Sequence, residues 1–391
     1  MDKRFQIADG DEIKAGQITD IYFLRDIEVL EAKGVCKHVL GEMRAAVFPD
    51  GWSWAVCAGI EEIARLFEGI PIDVDALDEG MLFKPEDIVL IVGGIYTDFA
   101  IYETSMLGLV CQASGIATRS AKCKLAAGER QLVSFGARRM HPAISPMIER
   151  NAFIGGCDGV AVAKSAELIG EQAVGTMPHA LILVFEDAAT AFRAFDEVID
   201  PSVRRVALID TFEDEKFGAL TAAYTLGDRL YAVRLDTPAS RRGNFVKILR
   251  EVRWELDLRG FNHVKLFCTG GLDEQKILEL NEYADAYGVG TYISSAPVVD
   301  LSYDLVEIAG KPLAKRGKMS GAKQVWRCAA CFASRLTPRD KKPQNPCACG
   351  GDWVPLLKPL IRNGEIVRDM PSPHQIRSFV LSQLEKLQNA L

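Results

Sequence analysis

Four cysteines crowd into 22 positions near the end of the chain: Cys328 and Cys331, then fifteen residues, then Cys347 and Cys349, followed directly by Gly350 and Gly351. Two thiolate pairs on tight turns supply four soft sulfur ligands, the set a tetrahedral Zn²⁺ ion takes. Four sulfurs leave no open position on the metal, so the pattern predicts a structural zinc knuckle. The glycines let the chain turn closely behind the second pair. A second group of residues has the chemistry of anion binding. Thr269-Gly270-Gly271 and Gly288-Val289-Gly290-Thr291 each close an apolar run and can turn backbone N–H groups towards a phosphate. Arg138 and Arg139 follow another apolar run and Gly136, and guanidinium forks suit carboxylates and phosphates. Arg119, Lys122, Lys124, Arg241 and Arg242 add positive charge nearby. Asp210 and Asp236 end successive apolar runs. Such carboxylates can hold a ribose diol, take Mg²⁺ or stabilise an oxocarbenium ion; capping a helix is the plainer role. His179, in Gly175-Thr176-Met177-Pro178-His179, stands just before the apolar run 181–185. Together these residues describe a site for a phosphorylated, polyanionic substrate.

Such a site needs elements to position it. Between 113 and 298, apolar runs recur at 132–135, 159–163, 181–185, 206–209, 231–235, 264–268 and 287–293. Helix-like stretches at 188–198, 215–224 and 244–256 lie between them. Strands alternating with helices predict parallel βα units, closed as a barrel or laid out as a doubly wound sheet. Polar loops follow nearly every run, where a βα barrel builds its site. Residues 1–112 read as α+β. A helix is expected over 58–67 with Ile60, Ile63, Ala64 and Phe67 on one face, and strands over 81–83 and 88–92. Residues 299–391 hold a basic segment, the cysteine cluster and a final amphipathic helix. Pro371-Ser372-Pro373 introduces that helix, and Ile376, Phe379, Val380, Leu384 and Leu387 mark its apolar face.

Composition bounds these readings. A length of 391 residues suits two or three domains. With 48% apolar and 25% charged residues the chain can bury enough surface to fold, which excludes disorder as its main state. The net charge, 46 − 53 = −7, argues against a general nucleic-acid binder. No run approaches the ~20 apolar residues of a membrane span. The opening Met1-Asp2-Lys3-Arg4 is polar, with no apolar signal core behind it, so a cytoplasmic protein is expected. In a reducing compartment the other six cysteines, Cys36, Cys57, Cys111, Cys123, Cys157 and Cys268, read as small core residues.

The motifs, taken in order, resemble those of the nicotinate phosphoribosyltransferases, in the shorter archaeal form. Thr19-Asp20-Ile21-Tyr22-Phe23-Leu24, Glu103-Thr104-Ser105-Met106-Leu107-Gly108, Phe135-Gly136-Ala137-Arg138-Arg139 and Gly175-Thr176-Met177-Pro178-His179 carry the likeness. Ile209-Asp210-Thr211-Phe212, Arg234-Leu235-Asp236-Thr237, Tyr287-Gly288-Val289-Gly290-Thr291 and Ala314-Lys315-Arg316 complete it. The resemblance implies the type II phosphoribosyltransferase fold: an incomplete α/β barrel (113–298), an N-terminal α/β sandwich (1–112) and a C-terminal zinc-knuckle region (299–391). It implies that nicotinate attacks 5-phosphoribosyl 1-pyrophosphate (PRPP) to give nicotinate mononucleotide and pyrophosphate, with Mg²⁺ accompanying PRPP. Phe135 and a Tyr22 from a neighbouring subunit would sandwich the pyridine ring. Arg138 and Arg139 would bind its carboxylate or the pyrophosphate. Asp236 would hold the ribose hydroxyls, and Asp210 would lie near the reacting centre. Thr176, Gly270, Gly271, Gly288, Gly290 and Thr291 would line the substrate, with Lys315, and less directly Arg316, on the pyrophosphate. His179 matches the histidine that ATP-coupled members phosphorylate. A shared site demands at least a dimer, and short relatives suggest a trimer or hexamer. Quinolinate and nicotinamide phosphoribosyltransferases are the near alternatives. A zinc-ribbon nucleic-acid binder on a degenerate barrel is the remote one, with Arg335, Arg339, Lys341 and Lys342 as its basic face.

Overall fold

The computed structural model describes residues 5–45 and 47–389; residues 1–4, the start of the polar opening, lie outside them. The chain divides into two compact units, Arg119–Ala296 and the combination of Met1–Thr118 with Pro297–Leu391.

The unit Arg119–Ala296 holds six parallel strands: β1 (Gln131–Ser134), β2 (Gly159–Val160), β3 (Arg205–Leu208), β4 (Leu230–Leu235), β5 (Lys265–Cys268) and β6 (Ala286–Val289). Their spatial order is β2-β1-β6-β5-β4-β3. The first long strand pairs with the last, β1 against β6 through Ala286 opposite Gln131. That is the cyclic order of a barrel, cut between β2 and β3. Val133, Val206, Ala232, Phe267 and Ala286 pack together as one apolar cluster of the sheet. The helices form where polar caps precede apolar periodicity. Asp187, Asp214 and Asn244 accept backbone N–H bonds from Thr190, Lys216 and Lys247 at the starts of Ala188–Val198, Glu215–Leu226 and Phe245–Leu258.

One expected strand is absent. The run 181–185 lies in a helix, His179–Phe185, with Pro178 as its N-cap. A short apolar run looks the same in either state, and burial decides between them. Here only Ile182 is buried, while Leu183, Val184 and Phe185 are exposed. The sheet stays open between β2 and β3, with a helix where the sequence predicts a strand.

The second unit is built on a seven-stranded sheet in the order Lys311–Pro312, Ser302–Ile308, His38–Arg44, Ile88–Ile95, Asp73–Ala76, Lys358–Arg362, Glu365–Ile366. Every neighbouring pair in it is antiparallel. Residues 299–391, expected to form a third region, are counted with the N-terminal residues in one compact unit and supply four of the seven strands. The helix Ile60–Phe67 buries Ile60, Ile63, Ala64 and Phe67 as its periodicity requires. The final helix, Pro373–Asn389, buries Ile376, Val380 and Leu384. Its Gln383 amide accepts from Leu82 N (3.0 Å) and donates to the Gly80 carbonyl (2.9 Å), a buried polar clasp that fixes the helix in register. Of the six single cysteines, Cys57, Cys123, Cys157 and Cys268 are buried. Cys111 is half-buried, and Cys36 is exposed on the connection into strand His38–Arg44, which corrects the expectation of a core residue there.

No helix among the described residues is long and apolar enough to cross a membrane.

Candidate active site

A cavity of about 900 Å³ opens at the carboxyl ends of the six parallel strands. Eleven of the expected site residues line it: Phe135, Arg138, Arg139, Thr176, His179, Asp236, Gly270, Gly271, Gly288, Gly290 and Thr291. They come from separate loops, and strand order alone brings them together.

Phe135 follows β1 and packs near Phe267 of β5, ring centroids 5.9 Å apart. Its seat depends on glycine. A Cβ at position 288 would overlap the Phe135 ring and crowd Thr269 Cγ2 at 2.7 Å, and a Cβ at 136 would lie 2.6 Å from the Gly290 carbonyl oxygen. Gly270 and Gly271 both have positive φ, +90° and +65°, so this loop takes a shape that other residues strain to adopt. Its backbone is propped by Arg242, whose Nη1 donates to the Gly270 carbonyl at 3.2 Å.

Arg234 was not among the expected binding residues, yet it organises the floor. It lies two positions before Asp236, and alternate residues of a strand share a face; that spacing is the signal sequence reasoning passed over. The guanidinium carbon sits 5.5 Å from the Phe135 ring centroid. Nη1 donates to Thr176 Oγ1 (2.8 Å), Nε to Thr269 Oγ1 (3.1 Å) and Nη2 to Asp236 Oδ2 (3.0 Å). Asp236 Oδ1 accepts from Thr269 Oγ1 at 2.6 Å. An arginine with its partners on every side is held as a fixed charge.

Asp210 and Asp236 converge on His179. His179 Nε2 lies 3.9 Å from Asp210 Oδ1 and 3.8 Å from Asp236 Oδ2, while Nδ1 pairs with Thr211 Oγ1 at 2.9 Å. Asp210 Oδ2 accepts from Asp236 N (2.8 Å) and Thr237 Oγ1 (2.7 Å). Its Oδ1 is buried with no hydrogen-bond partner among the described residues. Neither aspartate is a helix N-cap; Asp214 and Pro238 occupy those positions. Asp210 stands behind the cavity lining rather than in it, and a buried carboxylate oxygen without a hydrogen bond suits a hydroxyl or a hard cation.

Other expected residues lie elsewhere. Arg119 stacks on Tyr292 at 4.2 Å, Lys124 pairs with Asp158 at 2.9 Å, and Arg241 is exposed. Tyr22 and Lys315 belong to the other unit. There Tyr22 is half exposed, and Thr104 Oγ1 donates to Asp20 Oδ2 at 2.9 Å, tying together the first two motifs. Lys315 Nζ pairs with buried Asp304 Oδ1 at 2.6 Å, and Lys318 Nζ with Oδ2 at 2.7 Å. Glu103, in the same neighbourhood, has its carboxyl pushed up to about 7, first by burial and then by Asp304, with Lys315 opposing.

The four clustered cysteines also meet in that unit, on the sheet of Lys323–Cys328, Ser334–Pro338 and Trp353–Pro355. Their sulfurs lie within 4.8 Å of one another, with Cys328–Cys349 and Cys331–Cys347 each at 3.4 Å. Four zinc–sulfur bonds of about 2.3 Å put sulfurs ~3.8 Å apart, so the donor set fits the ion. Gly351 is required here, because a Cβ would lie 2.6 Å from Cys328 Sγ. Arg339, part of the suggested nucleic-acid face, is instead paired with Asp75.

Comparison with known proteins points to one family, under names that differ in substrate. Residues 20–114 match the family described as quinolinate phosphoribosyl transferase, N-terminal domain, and residues 116–304 match its C-terminal domain. The nicotinate phosphoribosyltransferase pncB1 of Mycobacterium tuberculosis is 30% identical over 331 residues, 81% of this chain and 72% of that protein. The nicotinate phosphoribosyltransferase of Bacillus subtilis is 29% identical over 242 residues, 60% of this chain and 48% of that one. Among solved structures, a nicotinate-nucleotide pyrophosphorylase from Pyrococcus furiosus superposes with a TM-score of 0.96 at 54% identity, covering 99% of both chains. Human nicotinic acid phosphoribosyltransferase shares the fold at a TM-score of 0.77 and 19% identity, over 94% of both chains.

Proposed function

The chain belongs to the type II phosphoribosyltransferase family, and on that premise we propose that this enzyme is a nicotinate phosphoribosyltransferase of NAD salvage. The observation that carries the substrate is Arg234. One half-buried guanidinium beside the Phe135 ring matches one carboxylate on one aromatic ring. Nicotinamide would bring no charge of its own to that guanidinium, which Asp236 alone would then face, and quinolinate would bring a second carboxylate. Arg138 and Arg139 are exposed at the cavity mouth and suit the pyrophosphate. The positive-φ glycines of 270–271 and the loop 288–291 suit the 5′-phosphate.

Breaking the anomeric C–O bond places positive charge on the ribose and negative charge on the leaving group. Asp236 and Asp210 are fixed anions on the ribose side, and arginines face the leaving group, so each developing charge meets its opposite without reorganisation. Mg²⁺ would arrive with PRPP, and the unpartnered Oδ1 of Asp210 and the carboxylate of Asp236 are the oxygens that fit it. Tyr22 and Lys315 would serve the site of a neighbouring copy in a homo-oligomer. ATP, if used, would act through His179, whose ring is held by Thr211 and faced by two carboxylates. The cysteine cluster would hold a structural Zn²⁺.

The test is a competition assay with PRPP and equal nicotinate, nicotinamide and quinolinate. Nicotinate mononucleotide and pyrophosphate are the expected products; release of CO₂ would instead identify quinolinate as the substrate. For the knuckle, metal analysis of purified protein is expected to find one zinc per chain. Stripping it with a chelator should lower the melting temperature by several degrees while leaving the barrel's helical signal. A metal-free chain with an unchanged melting curve would rule the zinc out.

A further inference from the structure

Glu149 is a fully buried carboxylate that lines the cavity and has no part in the chemistry above. It sits on the helix Ser145–Ile154, where nothing in its pattern marks it out. Its two oxygens accept the N–H groups of Ala161 (3.1 Å) and Val162 (3.0 Å), the residues that directly follow β2 and also line the cavity. The neighbouring wall is the segment 174–176. Val174 N donates to the Val160 carbonyl (2.8 Å), and Thr176 Oγ1 receives Arg234. The cavity lining therefore carries a fixed positive charge at Arg234 and a fixed negative charge at Glu149.

We propose that Glu149 is a specificity-determining residue: its buried carboxylate makes this wall repel a second ring carboxylate and so selects a pyridine monocarboxylate over a dicarboxylate. The inference rests on the reading of Phe135 and Arg234 as the ring site. Two backbone N–H bonds hold the carboxylate in place, and its burial keeps water from screening it. A dianionic ring at this wall finds one half-buried guanidinium already shared with Asp236 and, in the same cavity lining, a like charge. Like charges brought together in a desolvated site oppose binding strongly, which is how a site rejects a near-isostere.

Charge and size can be separated without altering the protein. Quinolinate and its 2-carboxamide analogue have nearly the same shape, but only quinolinate carries the second charge. In the unaltered enzyme the carboxamide is expected to inhibit nicotinate turnover with a constant about tenfold lower than quinolinate. In Glu149→Gln that gap should fall below about threefold, with kcat for nicotinate reduced less than fivefold. Equal exclusion of both analogues by the unaltered enzyme would mean that shape alone rejects them and would sink the proposal. A gap that persists in the variant would do the same. Failure of the unaltered enzyme to use nicotinate at all would instead remove the ring-site reading.

Discussion

Replacing Asp236 with Asn is expected to lower kcat by about 10²–10³-fold while the protein folds and binds PRPP. The substitution is nearly isosteric, and the surroundings can accept it. The amide oxygen can still take the Arg234 Nη2 bond now made at 3.0 Å, and the amide nitrogen can face Thr269 Oγ1. Thr269 keeps an alternative acceptor in the Leu235 carbonyl at 3.1 Å. What disappears is the negative charge beside the developing ribose cation, and that charge acts in the transition state rather than in the ground state. Steady-state kinetics should therefore show kcat falling far more than KM for PRPP rises, the smaller rise reflecting the weakened hold on the ribose hydroxyls, and the melting curve should stay close to that of the unaltered protein. A variant with kcat within threefold of normal would take Asp236 out of the chemistry.

Arg234→Ala should act on the other parameter. Removing the guanidinium deletes the proposed partner of the nicotinate carboxylate and strands Asp236, whose side chain is only 27% exposed, without its cation. Losing one member of such a pair typically costs 2–5 kcal/mol, so KM for nicotinate is expected to rise at least about 30-fold. Arg234→Lys should restore little of this. An ammonium is a point charge and cannot reach Thr176, Thr269 and Asp236 together in the fork that the guanidinium makes. The discriminating control is a neutral ring ligand. Nicotinamide binding should weaken much less than nicotinate binding in Arg234→Ala; equal losses for both would mean that the arginine only supports the pocket wall.

Much of this site could be read from residue order. The glycine loops, the arginine pair and the two aspartates all belong to runs that a βα rhythm carries to one end of a sheet, and the structure places most of them around one cavity. The helix 188–198 was legible to the residue, because a capping Asp and an unbroken amphipathic period mark both of its ends. Three kinds of feature were not legible. The apolar content of 181–185 suits a buried strand, and only burial reveals that it is a helix. Arg234 looks like a solvent-facing residue of an alternating strand, and only curling of the sheet turns that face inward. Glu149 depends on a contact with residues twelve and thirteen positions away, made through backbone groups that carry no side-chain signature. Likewise, nothing local announces that Ser302–Ile308 and Lys358–Arg362 return to pair with His38–Arg44 and Asp73–Ala76.

Leaving the cylinder uncut would have paired every strand edge, whereas the gap between β2 and β3 leaves two without a partner strand. Unpaired strand edges are templates on which other chains can add, and they are a common start of aggregation. The hazard is reduced by length. β2 is two residues long and β3 four, so each edge offers too few free groups for a stable intruding strand. At β2 the next two donors are already taken, because Glu149 accepts the N–H groups of Ala161 and Val162. The same carboxylate that we assign to substrate choice thus also blunts an edge against self-association. Its loss should be scored for solubility as well as for specificity.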